Sequence, residues 1–252
     1  MKKFDVTALG ELLVDFTENG MSAQGNPLLE ANPGGAPCNV LSMLQNLGKK
    51  TAFIGKVGAD MFGTMLTQAV KDQGINIDNL VTDDTVHTTL AFVHTGLDGD
   101  RDFSFYRNPG ADMMLREEEI QQEIFADTKI FHFGTLSMTD LRMEQVTKHA
   151  VKKAKEQGAV ISFDPNLRPP LWKKLGDAAD KMWYGISQCD ILKISDDEIS
   201  FLTGTADIDQ GIGKIMEQYC PALICATMGK DGSKAYYKGK SVYAEPFLQK
   251  NT

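Results

Sequence analysis

The sequence predicts an α/β domain: a mostly parallel sheet covered by helices, with a small β-sheet beside it. Three observations carry this reading. From residue 117 onward, short apolar runs alternate with helical patterns, which is the beat of βαβ units. The first apolar run, residues 4–10 (FDVTALG), is β-rich and ends at a glycine. The β runs near the N-terminus and at residues 88–107 have no intervening helices and so stand outside the alternation.

Taken in order, residues 4–10 read as a buried first strand, and residues 12–17 continue as alternating extended chain until Pro33-Gly34-Gly35 breaks it. Residues 39–47 place Val40, Leu41, Leu44 and Leu47 on one helical face, and Gly48 ends the pattern. Residues 51–57 (TAFIGKV) are a strand and 61–73 a helix stopped by Gly74. Residues 88–95 and 102–107 are two β runs joined by a hairpin-type loop, Gly96-Leu97-Asp98-Gly99-Asp100. Helices are expected at 117–125, at 140–157 (capped by Asp140, ended by Gly158), at 178–187, 196–202 and 208–218. Strands are expected at 129–133, 159–163, 190–194 and 222–226, with a closing hairpin from 234–237 and 241–244. Pro169-Pro170 is a rigid turn, and no internal repeat divides the chain, so its 252 residues read as one domain.

Composition narrows the function classes. Hydrophobic residues make up 42% and charged residues 24%, which suits a soluble globular protein with a large core. The formal charge of −8 weighs against nucleic-acid binding, which rests on Lys and Arg neutralising phosphates. Cys38, Cys189, Cys220 and Cys225 form no CxxC pair and do not cluster with the four His, which argues against zinc and for reduced thiols in a cytoplasmic protein. Asp5, Glu11 and Asp15 break any apolar run that could serve as a signal peptide, and no stretch reaches the length of a membrane span.

Open α/β sheets bind ligands where strands lead into helices, and this chain puts its polar and glycine-rich runs there. Gly34-Gly35-Ala36-Pro37-Cys38-Asn39 opens a helix; glycines let backbone approach a ligand and Asn39 can serve hydroxyls, though a plain turn with an N-cap explains the run as well. Asp15 on a strand edge can accept from two adjacent hydroxyls, or be a surface carboxylate. Asp164-Pro165-Asn166-Leu167-Arg168 follows a buried strand with its polar groups at alternate positions, and Arg168 can stabilise charge on a transferring phosphoryl group. In Ser195-Asp196-Asp197-Glu198, Glu198 lies in a first helical turn, where it is either a dipole partner or an indirect, water-mediated Mg²⁺ ligand. Thr227-Met228-Gly229-Lys230-Asp231-Gly232 can wrap polyphosphate or simply turn a hairpin. Tyr106-Arg107-Asn108-Pro109-Gly110-Ala111-Asp112 contains a β-turn, with Arg107 in reach of a substrate oxygen.

Each loop is ambiguous alone, but their order is not. The succession Gly10-x-x-x-x-Asp15, Gly-Gly-Ala-x-x-Asn, Tyr-Arg-x-Pro-Gly-Ala-Asp, Asp-x-Asn-x-Arg, Lys-x-Ser-x-x-Glu and Thr-x-Gly-x-x-Gly resembles the ribokinase-like (PfkB) sugar kinases along the chain. The runs at 105–112, 164–172 and 193–204 look most like fructokinases; deoxygluconate kinases and aminoimidazole-riboside kinases carry close variants. The resemblance implies a central parallel sheet with a β-sheet lid from about residues 12–31 and 88–106, and a homodimer contact through that lid. It implies that Asp15, Gly34, Gly35 and Asn39 hold sugar hydroxyls and that Arg107 is a second sugar contact from the lid. Arg168 would sit near the transferred phosphate. Lys193, Ser195, Thr227, Gly229 and Gly232 would touch ATP, and Glu198 would organise Mg²⁺ and its waters, Ser195 standing where many relatives have Asn. ATP and Mg²⁺, with a stimulating monovalent cation, are the implied cofactors, and a small sugar is the partner.

Relatives continue into an Asp-Thr-x-Gly-Ala-Gly-Asp segment whose last Asp is the general base. This sequence stops at Thr252 before such a run, so the expectation is a chain with little turnover and no base to name. Beside the fructokinase reading stand another sugar or nucleoside kinase, such as a 2-keto-3-deoxygluconate kinase, and a non-catalytic sugar- or partner-binding module. Gly10-Glu11-Leu12-Leu13 is no GxGxxG loop, which argues against a dehydrogenase.

Overall fold

A computed structural model describes residues 2–95 and 101–247. The chain runs β1 (Phe4–Leu9), β2 (Leu13–Met21), β3 (Pro27–Gly34), α1 (Ala36–Asn46), β4 (Thr51–Gly58), α2 (Met61–Asp72), β5 (Asn76–Asp83), β6 (Leu90–Thr95) and β7 (Arg101–Tyr106). It continues α3 (Glu123–Ala126), β8 (Thr128–Gly134), α4 (Leu141–Glu156), β9 (Val160–Asp164), α5 (Leu175–Gln188) and β10 (Ile191–Ser195). α6 (Asp196–Thr203), α7 (Ile208–Gln218), β11 (Leu223–Thr227), β12 (Ser233–Tyr237) and β13 (Lys240–Ala244) complete it.

Nine strands form one sheet in the order β13-β12-β11-β10-β9-β8-β1-β4-β5, parallel from β11 to β5 and antiparallel at the β12–β13 hairpin. Parallel strands demand cover on both faces, and their alternation supplies it. Phe53 and Val57 of β4 share a buried cluster with Leu41 of α1 and Leu66 and Val70 of α2. Ala52 and Ile54, their neighbours in sequence, belong with Phe131, Phe163, Leu192 and the inner faces of α4 to α7. Local signals set the helix limits. Asp140 accepts from the amides of Arg142 and Met143 ahead of α4, and Gly204, at φ 69°, ends α6.

The second sheet has the order β3-β2-β6-β7. Its period-two alternation gives it two unlike faces. Phe16 and Phe92 stack on one face, with Tyr106 edge-on to Phe92 and Phe62 of α2 edge-on to Phe16. Asp15, Ala91 and Phe105 lie in register on the other, which looks toward the end of the large sheet. This smaller sheet is one layer built from residues 13–34, 90–95 and 101–106, β3 being the second arm of its first hairpin.

Three expectations change. The helix expected at 117–125 is a single tight turn at Glu117–Glu119 followed by the short α3, because Glu119 reaches back to the amide of Arg116 and is held by buried Lys56 at 2.9 Å. Ile120 then turns extended and buries its side chain. β3 and β5 were not expected as strands; both lie at sheet edges and carry polar or Pro-containing sequences. The expected hairpin loop at 96–100 lies outside the described residues.

Candidate functional site

β1 has β4 on one side and β8 on the other, and the chain builds outward from it in both directions. That reversal opens a crevice at the carboxyl ends of the strands. A cleft of about 300 Å³ lies there, lined by Glu11, Asp15, Gly35, Asn39, Asp164, Asn166 and Arg168, with Phe103 and Phe105 of the lid among its walls.

The chain leaves β1 through Gly10 and crosses at once into the lid, so Asp15 on β2 is carried over the sheet end. Leu13 and Asp15 pair with Gly34 and Asn32 of β3. A Cβ at Gly34 would occupy the place of the Asp15 carboxyl and push that side chain out of its position. Gly35 caps α1 at φ 115°, where a Cβ would run into the carbonyl oxygen of Glu11. This tight turn aims the first turn of α1, with Asn39 exposed in the cleft.

The opposite wall comes from the end of β9. The Asp164 carboxylate accepts from the Asn166 amide at 3.1 Å, with Asn166 in the left-handed region at φ 46°. Lys193 of β10 pairs with Asp164 at 3.2 Å. The Arg168 guanidinium lies 5.6 Å over the Phe103 ring, a cation–π contact between this loop and the lid. Burial pushes the carboxyls of both Asp15 and Asp164 above their ordinary range, opposed by Arg168 and by Lys193 respectively. Both carboxylates are thus poised to gain from hydroxyl donors that replace lost water.

Behind that wall, Ser195 and Glu198 form a capping box on α6. The Glu198 amide donates to the Ser195 hydroxyl at 3.3 Å, and the Ser195 amide donates to Glu198 Oε2 at 2.8 Å. Glu198 Oε1 accepts from the Leu167 amide at 2.8 Å, so this buried carboxylate holds the Arg168 loop in place. With each oxygen already accepting a backbone N–H, Glu198 fits Mg²⁺ through intervening water rather than by direct contact. Among the described residues no group of three or more His, Cys, Asp or Glu side chains converges to hold a metal.

The expected nucleotide side lies on the neighbouring strand ends. Ser195 and Thr227 are paired in register at the carboxyl ends of β10 and β11. Gly229 and Gly232, at φ 52° and 85°, turn the chain into β12, and Gly232 lies so close to the Ala244 carbonyl that no Cβ fits. The amides of Met228, Asp231 and Gly232 bond within this turn, so the run is a hairpin turn as well as a candidate phosphate loop.

Arg107 requires a correction. It does not line the cleft, and its side chain is 3% exposed. Nε donates to Asp112 Oδ2 at 2.8 Å, Nη1 to Thr139 at 2.8 Å and Nη2 to the Leu136 carbonyl at 3.0 Å, with a second contact from Nη2 to Asp112 at 2.6 Å. A guanidinium with nearly all its donors engaged by protein has little left for a sugar, so Arg107 anchors the exit of the lid strand β7. Sequence reasoning also passed over Glu11, which is 3% exposed and accepts from the Ala36 amide at 2.7 Å. The available signal was a carboxylate directly after a buried strand, where an unpaired charge is costly.

Comparison with known proteins agrees with this architecture. The profile of the pfkB family carbohydrate kinases matches residues 3–252. A probable fructokinase-5 of Arabidopsis thaliana is 40% identical over 237 residues, covering 92% of this chain and 72% of the relative. The fructokinase of Xylella fastidiosa, solved with bound ATP, superposes with a TM-score of 0.89 at 33% identity, over 99% of this chain and 76% of that one. A Vibrio cholerae fructokinase solved with fructose, ADP and calcium ion gives a TM-score of 0.87 at 27% identity, over 98% of this chain and 78% of that one. By fold, strand-end loops and sequence, the chain belongs to the pfkB family of carbohydrate kinases.

Proposed function

We propose that this protein phosphorylates a neutral ketohexose, fructose, with ATP as donor. The observation that carries the proposal is the cleft in which Asp15, Gly35 and Asn39 face Asp164, Asn166 and Arg168 beneath the lid; Gly34 lies outside its lining and gives room to the Asp15 carboxyl. Paired carboxylates, an amide and nearby aromatic rings suit a polyhydroxylated ligand without charge. The fructokinase relatives, one solved with ATP and one with fructose and ADP, support the choice of sugar and donor. Asp15, Asp164 and Asn39 hold the hydroxyls, Arg168 adds positive charge beside the transferred group, and Lys193 balances Asp164 between the sugar side and the nucleotide side. Ser195, Thr227 and the turn at Gly229 and Gly232 receive the nucleotide. Mg²⁺ supplies charge neutralisation on the phosphates, with Glu198 and Ser195 ordering its waters. None of the described residues is assigned to accept the hydroxyl proton.

The stacked rings on the outer lid face, with Tyr106 and Met61 exposed beside them, fit a homodimer contact, and the four free cysteines fit a reducing cytoplasm. No helix among the described residues is long and apolar enough to cross a membrane.

Calorimetry and coupled ADP release with fructose and with 2-keto-3-deoxygluconate test the substrate. Fructose binding with ADP release is expected. Binding without release would instead mark a sugar-binding module, and a response to the acid but not to fructose would overturn the substrate assignment.

A further inference from the structure

We propose that Glu11 is a positioning residue: its carboxylate holds the Gly34–Gly35 turn in the shape that grasps the sugar. The sugar part of this inference rests on the reading of the cleft given above. Glu11 comes just past Gly10 at the end of β1 and sits against the turn that opens α1. Its Oε1 accepts the Ala36 N–H at 2.7 Å, and its main-chain oxygen is pressed against Gly35 so closely that any side chain there is excluded. These two contacts fix both ends of the peptide that sets the direction of α1 and of Asn39. The buried Arg107–Asp112 pair, through which the end of β7 is bound to Leu136 and Thr139, acts on the Glu11 carboxyl through charge alone.

The surroundings make this hold depend on protonation. Burial pushes the Glu11 carboxyl up to about 7, with its own amide, the Ala36 amide and Arg107 opposing and Asp112 adding to the rise. From α1, the Cys38 thiol faces it and is pushed well up, so it stays neutral. Asp15 from the lid, and Asp164 and Arg168 from the β9 loop, share the cleft with it. The ionised carboxylate makes the stronger, charge-assisted bond to the Ala36 amide. The turn is therefore held tightest above neutrality and loosens as pH falls.

Glu11→Gln keeps an oxygen for the Ala36 amide but removes the charge, while Glu11→Ala removes both. The Ala36 amide resonance, followed by NMR, is expected to titrate with a midpoint of about 7 in the full chain and not to titrate in Glu11→Gln. Fructose affinity by calorimetry is expected to rise up to about tenfold from pH 6 to pH 8 in the parent, the limit for one coupled proton. It should be flat in Glu11→Gln and weak at both pH values in Glu11→Ala. An Ala36 amide that does not titrate overturns the inference whether or not fructose binds, as does a Glu11→Gln protein with the parental pH dependence. A titrating Ala36 amide in a chain that takes up no fructose supports the hold on the turn and rejects the choice of sugar.

Discussion

Replacing Arg107 with Met removes a guanidinium that makes four contacts below the lid and leaves the Asp112 carboxylate, 1% exposed, with the Thr89 hydroxyl as its remaining side-chain donor. An uncompensated buried charge of this kind costs about 3–5 kcal/mol. For a chain of this length, unfolding entropy near the transition converts that to a fall in Tm of roughly 6–10 °C. Urea unfolding followed by circular dichroism should show a lower midpoint with an unchanged slope. The double variant Arg107→Met/Asp112→Leu should recover most of the loss, because no charge is then stranded. At the alkaline end of the range, fructose affinity should stay within a few-fold of the parent. Near neutrality it should weaken, since removing the guanidinium makes Glu11 harder to ionise. A variant of parental stability that no longer binds fructose at any pH would refute this account and return Arg107 to the role of a sugar contact.

Asp15→Asn should weaken fructose binding by roughly 10- to 100-fold, the loss of about 1.5–3 kcal/mol of charge-assisted hydrogen bonding, as read by calorimetry. It should not destabilise the fold. Burial raises the Asp15 carboxyl, so its contribution to stability is full below the ordinary carboxylate range and is lost as pH rises through the folded value; the stability gain of Asn over Asp should grow over that window in melts at graded pH. Gly35→Ala forces a side chain into φ 115° against the Glu11 carbonyl, at a cost of about 1–3 kcal/mol, and should raise amide exchange across residues 34–39. Ser195→Ala removes one half of the α6 capping box, about 1 kcal/mol or ~2 °C in Tm, and a calorimetric scan that shows no change would contradict the cap.

What the sequence made legible follows from range. Apolar runs bounded by Gly and Asp fixed β1, β4, β8 and α4 nearly to the residue, since their signals are local. Asp15, Asn39 and Arg168 share one cleft for a related reason: each comes a few residues after a strand ends, at β1, β3 and β9. Edge strands escaped because NIDNLVTD of β5 is packed on few sides and needs little apolar character. The stretch at 117–125 has helical composition but is overruled by Lys56, which lies some sixty positions earlier. Arg107 was read as within reach of a ligand and Glu11 was passed over, because Asp112, Thr139 and Ala36, which engage them, are recognisable as partners only in the folded chain.

Asp164, Ser195 and Thr227 stand at the ends of three adjacent parallel strands. Neighbouring strands are about 4.8 Å apart, so the row spans roughly 10 Å, and that span is set by main-chain hydrogen bonds alone. In the proposed reading, the sheet in this way spaces the groups that hold the sugar from the groups that hold the nucleotide. Substitutions in the loops can change which acceptor is chosen, while the spacing that lets the two substrates meet in line for transfer stays fixed by the sheet.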